Sequence, residues 1–129
     1  MYAEILNGKI THYRGDTLST PIYIFTGDRM WPTPYTLEEG DTLYLGIMEP
    51  GQAFEDAIVK KVYTKDSVKD SSNRPLFELK SEDTEFLAPG TYYYMLKLKK
   101  VENDNIIIST LIKPTIFWLL GNIPKQNKN

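Results

Sequence analysis

The sequence of 129 residues contains no cysteine and only one histidine. Without cysteine, the chain forms no disulfide bonds and no thiolate-ligated metal site. The single imidazole, that of His12, cannot build a histidine metal site. As a catalytic base it would need an orienting partner that the sequence does not nominate. We therefore predict that His12 is an ordinary strand residue, and we expect no metal and no cofactor.

Long runs of one residue class are also missing. No cluster of lysine and arginine is large enough to neutralise a phosphate backbone, and the net charge is −2, so nucleic acid is not an expected partner. The most apolar segment, residues 106–120, contains Lys113 and Pro114 and is shorter than the roughly 20 residues of a membrane helix. Residues 1–10 contain Glu4 and no apolar run, so they do not resemble a signal peptide. We expect synthesis in a cytoplasm and no membrane partner.

Catalytic signatures are absent as well. The sequence has no glycine-rich phosphate loop, no GxSxG and no HExxH. Acidic residues at 38–41 leave open a small hydrolase, and Asp66, Asp70 or Asp104 leave open a calcium site. These acids lie in predicted turns, where acidic side chains are common. A tight turn likewise explains the integrin-type tripeptide at residues 14–16, and we predict that the protein is not an enzyme.

Short apolar segments separated by turn signals fill the sequence instead. They recur about every ten residues, and no helical period is sustained, which predicts an all-β fold. Asn7-Gly8 predicts a type I′ hairpin turn within residues 4–13. Pro21, inside the apolar segment 18–25, predicts an edge strand or a bulge.

The segment of residues 81–99 determines the predicted fold class. Ser81 is expected to cap a short helical turn, and Phe86 and Leu87 are expected to plug one end of the core. From Tyr92 onward, apolar residues alternate with a second set, which predicts a half-buried strand. The outward set is Tyr93, Met95, Lys97 and Lys99.

The sequence LAPGTY at residues 87–92 places Tyr92 where immunoglobulin-like sandwiches carry a tyrosine corner. In that corner, the tyrosine hydroxyl bonds back to the preceding connection. We therefore predict a single immunoglobulin-like antiparallel β-sandwich of about seven to nine strands over residues 1–120, with one short helical turn near residues 81–87. Residues 121–129 are predicted to form a polar tail.

Bulky apolar residues in exposed-looking positions are the candidate partner contacts. Met30 and Trp31 lie on a proline-stiffened loop, which suits a contact anchor; the alternative is that Trp31 folds back over the core. The run at residues 117–120 cannot all face one side of a sheet, so part of it must meet a neighbouring element or another subunit. The candidates are Met30, Trp31, Tyr35, Tyr93, Met95, Phe117, Trp118 and Leu120.

Four segments in order resemble small virion structural proteins of phages that infect Gram-positive and gut bacteria. They are residues 14–17 (RGDT), 37–42 (LEEGDT), 83–94 (DTEFLAPGTYYY) and 110–112 (TLI), and the pattern covers about residues 5–113. The resemblance is to the immunoglobulin-like N-terminal domain of baseplate upper proteins and to similar domains in head fibres and decoration proteins. It implies a sandwich that joins or anchors parts of a virion, and it supplies no catalytic residues.

The expected function is therefore that of a phage virion structural protein. It would be an adaptor, an anchor or a decoration component, in the head or head fibre or in the tail or baseplate. The expected partners are other virion proteins and further copies of the chain, and the expected location is the virion. The alternative is a carbohydrate-binding or cell-surface-binding module that uses Trp31 and Tyr35 to contact a host glycan.

Overall fold

A computed structural model describes residues 1–121. Over these residues the chain forms ten strands and two short helical turns. The strands are β1 (Tyr2–Glu4), β2 (Ile10–Tyr13), β3 (Leu18–Pro21), β4 (Tyr23–Thr26), β5 (Thr33–Pro34), β6 (Asp41–Met48), β7 (Val59–Tyr63), β8 (Leu76–Leu79), β9 (Gly90–Glu102) and β10 (Asn105–Leu120). The helical turns are a 3₁₀ turn (Phe54–Asp56) and α1 (Ser81–Thr84). All but the first residue of the predicted polar tail lies outside the described part.

The strands form one five-stranded sheet and two smaller sheets. The large sheet has the order β2-β10-β9-β6-β7, and the small sheets are β1-β4-β5 and β3-β8. Because only Ile22 separates β3 from β4, the two small sheets belong to one layer. Pairing is antiparallel except between β2 and β10, which run parallel. The fold is the all-β, immunoglobulin-like sandwich that the sequence predicts.

The hairpin predicted around Asn7-Gly8 is wrong. β1 pairs with β4 and β2 pairs with β10, so the strands on either side of the turn enter different sheets. Leu6, Asn7 and Gly8 all have positive φ, of 47°, 58° and 111°. Three such residues in succession carry the chain from one layer to the other instead of folding it back on itself.

Pro21 ends β3, as its lack of an N–H group requires. The next residue, Ile22, is fully buried, and its N–H donates to the carbonyl oxygen of Pro75 at 2.8 Å. The apolar segment 18–25 is therefore two strands, one in each small sheet. The predicted edge strand at this proline is confirmed, because β3 pairs with β8 alone.

The core lies between the two layers and is lined by alternate residues of the long strands. On β9 the buried residues are Tyr92, Tyr94, Leu96 and Leu98, and the outward set is half-buried, as the alternation predicts. Each fully buried aliphatic or aromatic side chain contributes about 1.5–3 kcal/mol to folding. The inward face of β9 therefore contributes strongly to the stability of the sandwich.

The helical turn before β9 differs from the prediction in two ways. The turn begins at Ser81, but its capping group is the carboxylate of Asp83, which accepts the N–H of Lys80 at 2.7 Å. Phe86 is 87% exposed, so it does not plug the core, whereas Leu87 packs against the core.

The tyrosine corner is confirmed. The hydroxyl of Tyr92 donates to the carbonyl oxygen of Ala88 at 2.6 Å, four residues earlier in the chain. This bond fixes the connection between α1 and β9. Arg14 adds a second tie, because its Nη1 donates to the carbonyl oxygen of Leu87 at 3.2 Å.

β9 and β10 form a long hairpin. Asn103 and Asp104 both have positive φ, of 47° and 69°, as a two-residue type I′ turn requires. β10 continues through Pro114 with an irregular register between Thr110 and Thr115, so the proline bends the strand. Residues 116–120, which follow this bend, form the last part of β10.

Candidate functional site

The outward side of the five-stranded sheet is the largest candidate contact surface. The register of the sheet places the outward residues of β6, β7, β9 and β10 side by side. We call this surface the outer face. Its central residues are Tyr44, Val62, Tyr93, Met95, Lys97, Lys99, Ile106, Ile108, Ile116 and Trp118.

The outer face combines exposed apolar side chains with the polar side chains of Thr42, Lys60, Lys97, Lys99 and Thr110. Val62, Ile106, Ile108 and Trp118 are exposed, although they are large hydrophobic side chains. Single exposed hydrophobic residues are common, but a group of them on one rigid sheet is typical of an interaction site. The outer face therefore has the composition of a protein contact surface.

An aromatic ring forms one wall of a groove on this face. Phe54, in the 3₁₀ turn, lies over Gly46, where a Cβ atom would stand 3.0 Å from its ring carbon Cε1. The ammonium group of Lys97 lies 5.1 Å from the centre of the same ring. The groove has a volume of about 450 Å³ and is lined by Tyr44, Phe54, Glu55, Lys97, Lys99, Ile106 and Ile108.

A second, smaller groove lies at the other end of the outer face. Its volume is about 260 Å³, and its lining includes Met48, Tyr93, Met95 and Pro114. Methionine side chains are flexible and polarisable, so they adapt to the shape of a partner. The outer face thus offers shallow, apolar grooves and no deep pocket at either position.

Four predicted contact residues belong to β10 or its neighbour on the outer face. Tyr93 and Met95 are half-buried there, and Trp118 is exposed on the same face. Leu120 is half-buried and pairs with Tyr13 of β2. The structure therefore brings Tyr93, Met95 and Trp118 onto one surface, as a common contact site would require.

Phe117 requires a correction. It was predicted as a partner contact, but it is 1% exposed and its ring lies 6.0 Å from that of His12 in the core. Alternation along β10 explains the difference, because Phe117 and Leu119 point inward while Trp118 points outward. His12 is also buried, and its Nε2 lies 3.1 Å from the carbonyl oxygen of Asp16, to which it donates.

Met30 and Trp31 lie at the tip of the connection between β4 and β5. They are 78% and 75% exposed, so Trp31 does not fold back over the core. The carboxylate of Asp28 accepts the N–H groups of Met30 at 3.0 Å and of Trp31 at 2.8 Å. Gly27 has a φ of 81°, and a Cβ atom there would lie 2.9 Å from the carbonyl oxygen of Trp31. The loop is therefore ordered by local bonds while its two large side chains remain accessible.

Tyr35 does not join Trp31 as a contact anchor. Its hydroxyl donates to Asp41 Oδ2 and accepts from Lys100 Nζ at 2.6 Å. Lys100 Nζ also lies 3.1 Å from Asp41 Oδ1, and the Glu38 N–H donates to Asp41 Oδ2 at 2.9 Å. The network connects the segment after β5 to β6 and β9, so the tyrosine head group is used within the fold.

The network also shifts the pKa values of its members. Burial, followed by the hydrogen bond to Asp41, raises the pKa of Tyr35 to about 12. Burial would raise the pKa of Asp41, but hydrogen bonds from Tyr35, the Glu38 amide and Lys100 outweigh it and lower that pKa. Burial would lower the pKa of Lys100, but its bonds to Tyr35 and Asp41 raise it. Asp41 and Lys100 therefore both stay ionised at neutral pH, as the members of a structural ion pair do.

Within residues 1–121, no three histidine, cysteine, aspartate or glutamate residues lie close enough to hold a metal ion. Asp70, weighed as a calcium ligand, accepts from Arg74 Nε at 2.8 Å and from the N–H of Ser72 at 2.9 Å. Each of five surface cavities in this part is lined by a single acidic residue, whereas a glycosidase needs two.

The sequence reasoning missed Tyr44, Phe54, Ile106 and Ile108 as surface residues. The signal was present for the isoleucines, because three in a row beside a hairpin turn break the alternation of a half-buried strand. No such signal marked Phe54, whose position depends on the close approach of its ring to Gly46.

Comparison of the chain with protein-family models, with curated proteins and with solved structures gives no match. No helix within residues 1–121 is long and apolar enough to cross a membrane. The two candidate functional surfaces are therefore the outer face and the Met30–Trp31 loop tip.

Proposed function

We propose that this protein is a structural component of a phage virion that acts by binding other virion proteins through its outer face. It would serve as an adaptor, an anchor or a decoration protein, in the head or head fibre or in the tail or baseplate. The observation that carries the proposal is the outer face, where the apolar side chains of Ile106, Ile108, Val62 and Trp118 are exposed on one sheet.

A contact role accounts for the features of this face better than a role in small-molecule chemistry. Protein interfaces combine an apolar centre with a polar rim, and aromatic residues and methionine are enriched in them. The outer face has that composition, with Tyr93, Met95 and Trp118 among its apolar residues and Lys97 and Lys99 between them. The lysines favour a partner that places acidic groups beside its own apolar surface.

The assignment to a virion is supported by the sequence resemblance. The segments at residues 14–17, 37–42 and 83–94 occupy the turns that lead into β3, β6 and β9. These turns hold the sandwich together, since the N–H of Gly15 donates to Thr84 Oγ1 at 2.9 Å. A repeated attachment domain in a particle benefits from such a rigid scaffold.

The test of this function is the composition of purified particles. Antibody labelling and mass spectrometry of virions should detect the protein, and its absence from intact particles would end the proposal. In particles assembled with the variant Met95→Lys, incorporation should fall, because a charge enters the centre of the outer face. The control is Phe86→Lys, at a residue that is exposed beside α1 and away from that face.

Glycan binding by the Met30–Trp31 loop tip is the second candidate. The observation that favours it is a tryptophan that is 75% exposed on a loop ordered by Asp28. An indole face held in one orientation stacks on a sugar ring at low entropic cost. A glycan array should then show binding that Trp31→Ala abolishes and Phe86→Ala leaves unchanged. Binding that survives Trp31→Ala would exclude the loop tip as the site.

A further inference from the structure

The first half of β10 is an open sheet edge in the part of the chain that the structure describes. On one side, β10 pairs with β9 from Asn105 onward. On the other side, it pairs with β2 only between Phe117 and Leu120. Residues 105–110 therefore have a strand beside them on one side only.

The backbone groups at this edge point away from the sheet. The N–H of Val101 donates to the carbonyl oxygen of Gly40 at 3.1 Å, on the β6 side of β9. Val101 and its partner Ile106 thus form a pair without mutual hydrogen bonds, as expected two positions from a two-residue turn. By the same alternation, the N–H and C=O groups of Ile106 and Ile108 face the open edge.

The side chains at this edge make it unlike the other edge of the same sheet. β7, at the opposite edge, carries Lys60 and Lys61, and edge lysines prevent pairing with other chains. The open edge of β10 carries Ile106, Ile107 and Ile108, which are 61%, 49% and 64% exposed. An uncharged, β-branched edge with both sides exposed is suited to receiving another strand.

We propose that residues 106–110 pair antiparallel with the same residues of a second copy of this chain. The pairing gives a dimer with a twofold axis at Ile108 and a continuous sheet through both copies. The proposal goes beyond the proposed function and names a surface for the self-association that is expected from the sequence.

The charges beside the edge select this arrangement. Glu102 and Asp104 lie before the isoleucines and Lys113 lies after them, with no charge between Asp104 and Lys113. With the axis at Ile108, antiparallel pairing sets Asp104 opposite the second copy's residue 112, one position from its lysine at 113, whereas parallel pairing sets like charges side by side. The same chain is therefore a complementary occupant of its own edge.

A cavity is available for the hairpin tip of the second copy. It has a volume of about 600 Å³ and lies beside residues 110–113. Its lining includes Arg29 and Lys113, together with Glu4, whose carboxylate is 3.6 Å from Arg29. The acidic hairpin tip of each copy, which carries Asp104, would lie beside these two cationic side chains of the other copy.

The test is the oligomeric state in solution over a range of concentrations, measured by sedimentation equilibrium. The full chain should dimerise, and Ile108→Lys should raise the dissociation constant about a hundredfold, since two like charges would meet at the axis. The control Val68→Lys, at an exposed residue in the connection between β7 and β8, should dimerise as the wild type does. A wild type that stays monomeric, or an Ile108→Lys variant that dimerises equally well, would overturn the proposal.

A second measurement locates the contact even if a lysine variant folds poorly. Because the chain has no cysteine, Ile108→Cys introduces a unique thiol. At the axis, the two Cα atoms would be about 5.5 Å apart, which a disulfide can span. Mild oxidation should link Ile108→Cys dimers rapidly and Val62→Cys dimers slowly, and the reverse order would refute edge pairing. Absence of the wild-type protein from virions, with the dimer intact, would count against the outer-face function only.

Discussion

Replacing Asp41 with asparagine tests the buried ion pair that holds the sandwich together. The Asp41 side chain is 2% exposed and accepts hydrogen bonds from Tyr35, Lys100 and the Glu38 amide. Asp41→Asn keeps the shape of the side chain but removes its charge. It also turns one acceptor oxygen into an NH₂ group that faces donors, and it leaves the Lys100 ammonium without its closest anion.

The expected cost follows from the burial of both partners. Removing one member of a buried ion pair costs about 3–5 kcal/mol, mainly because the remaining charge is uncompensated. Glu38 lies 3.8 Å from Lys100 Nζ and is largely exposed, so it offsets part of that loss. We therefore expect a decrease of about 3 kcal/mol in the free energy of unfolding, a large part of the about 5–15 kcal/mol typical of a domain. For a chain of this size, the melting temperature should fall by about 10 °C.

Urea denaturation at neutral pH, followed by tryptophan fluorescence and circular dichroism, measures this decrease. The matched control is Glu39→Gln, because Glu39 is an acid in the same turn whose side chain is exposed and lies 3.5 Å from Lys65. A surface ion pair contributes about 0–1 kcal/mol, so the control should be nearly neutral. Equal small changes in both variants would show that Asp41, Tyr35 and Lys100 do not stabilise the fold.

Three further outcomes follow from the same structure. Folding lowers the pKa of Asp41. The contribution of its carboxylate to the free energy of unfolding is therefore fully present above the unfolded pKa of about 3.9, and it is lost as the pH falls through the pKa of the folded state. The stability difference between wild type and Asp41→Asn should therefore shrink below about pH 4 in denaturation curves taken across that range. Tyr92→Phe should lower the free energy of unfolding by about 1–2 kcal/mol, measured by thermal denaturation, whereas Tyr93→Phe should change it little. Equal losses in the two variants would contradict a stabilising role of the tyrosine corner. Gly46→Ala should destabilise by about 1–3 kcal/mol, because the new methyl group meets the Phe54 ring; unchanged stability would show that the ring moves freely.

Local patterns were sufficient to predict β9 and the tyrosine corner. The alternation in β9 depends only on residues two apart. The bond from Tyr92 to Ala88 spans four residues, so the LAPGTY segment carries all the information that it needs. Elements built from neighbours in sequence could therefore be recognised without any knowledge of the sheets.

Long-range pairing could not be predicted in the same way. The turn at Asn7-Gly8 has hairpin composition, yet burial of Ile5 and Ile10 sends the flanking strands to opposite layers. The partner of β2 is the end of β10, more than a hundred residues away, and nothing in either segment specifies a parallel pair. Here the demand for apolar burial overrides local turn preference.

The candidate contact residues likewise divide into those that the local sequence predicts and those that long-range pairing decides. Exposure of Trp31 was consistent with a proline-rich tip, which is a local property. Tyr35 lies in the same segment, but its role depends on Lys100, which is 65 residues away. Phe117 and Trp118 could be separated only by knowing which residue of β10 faces the core. Side-chain identity suggests a contact residue, whereas strand register decides it.

The proposed dimer and the proposed outer-face contact reinforce each other through β10. Ile108 belongs both to the outer face and to the open edge. A twofold axis that relates antiparallel neighbours in one sheet stands perpendicular to that sheet, so the two outer faces would lie on the same side of the dimer. Two linked copies of a weak site bind an arrayed partner about 10²–10⁴ times more tightly than one copy does. Shallow grooves of the kind around Phe54 would then suffice for attachment to a repeating particle surface, without a deep pocket in either copy.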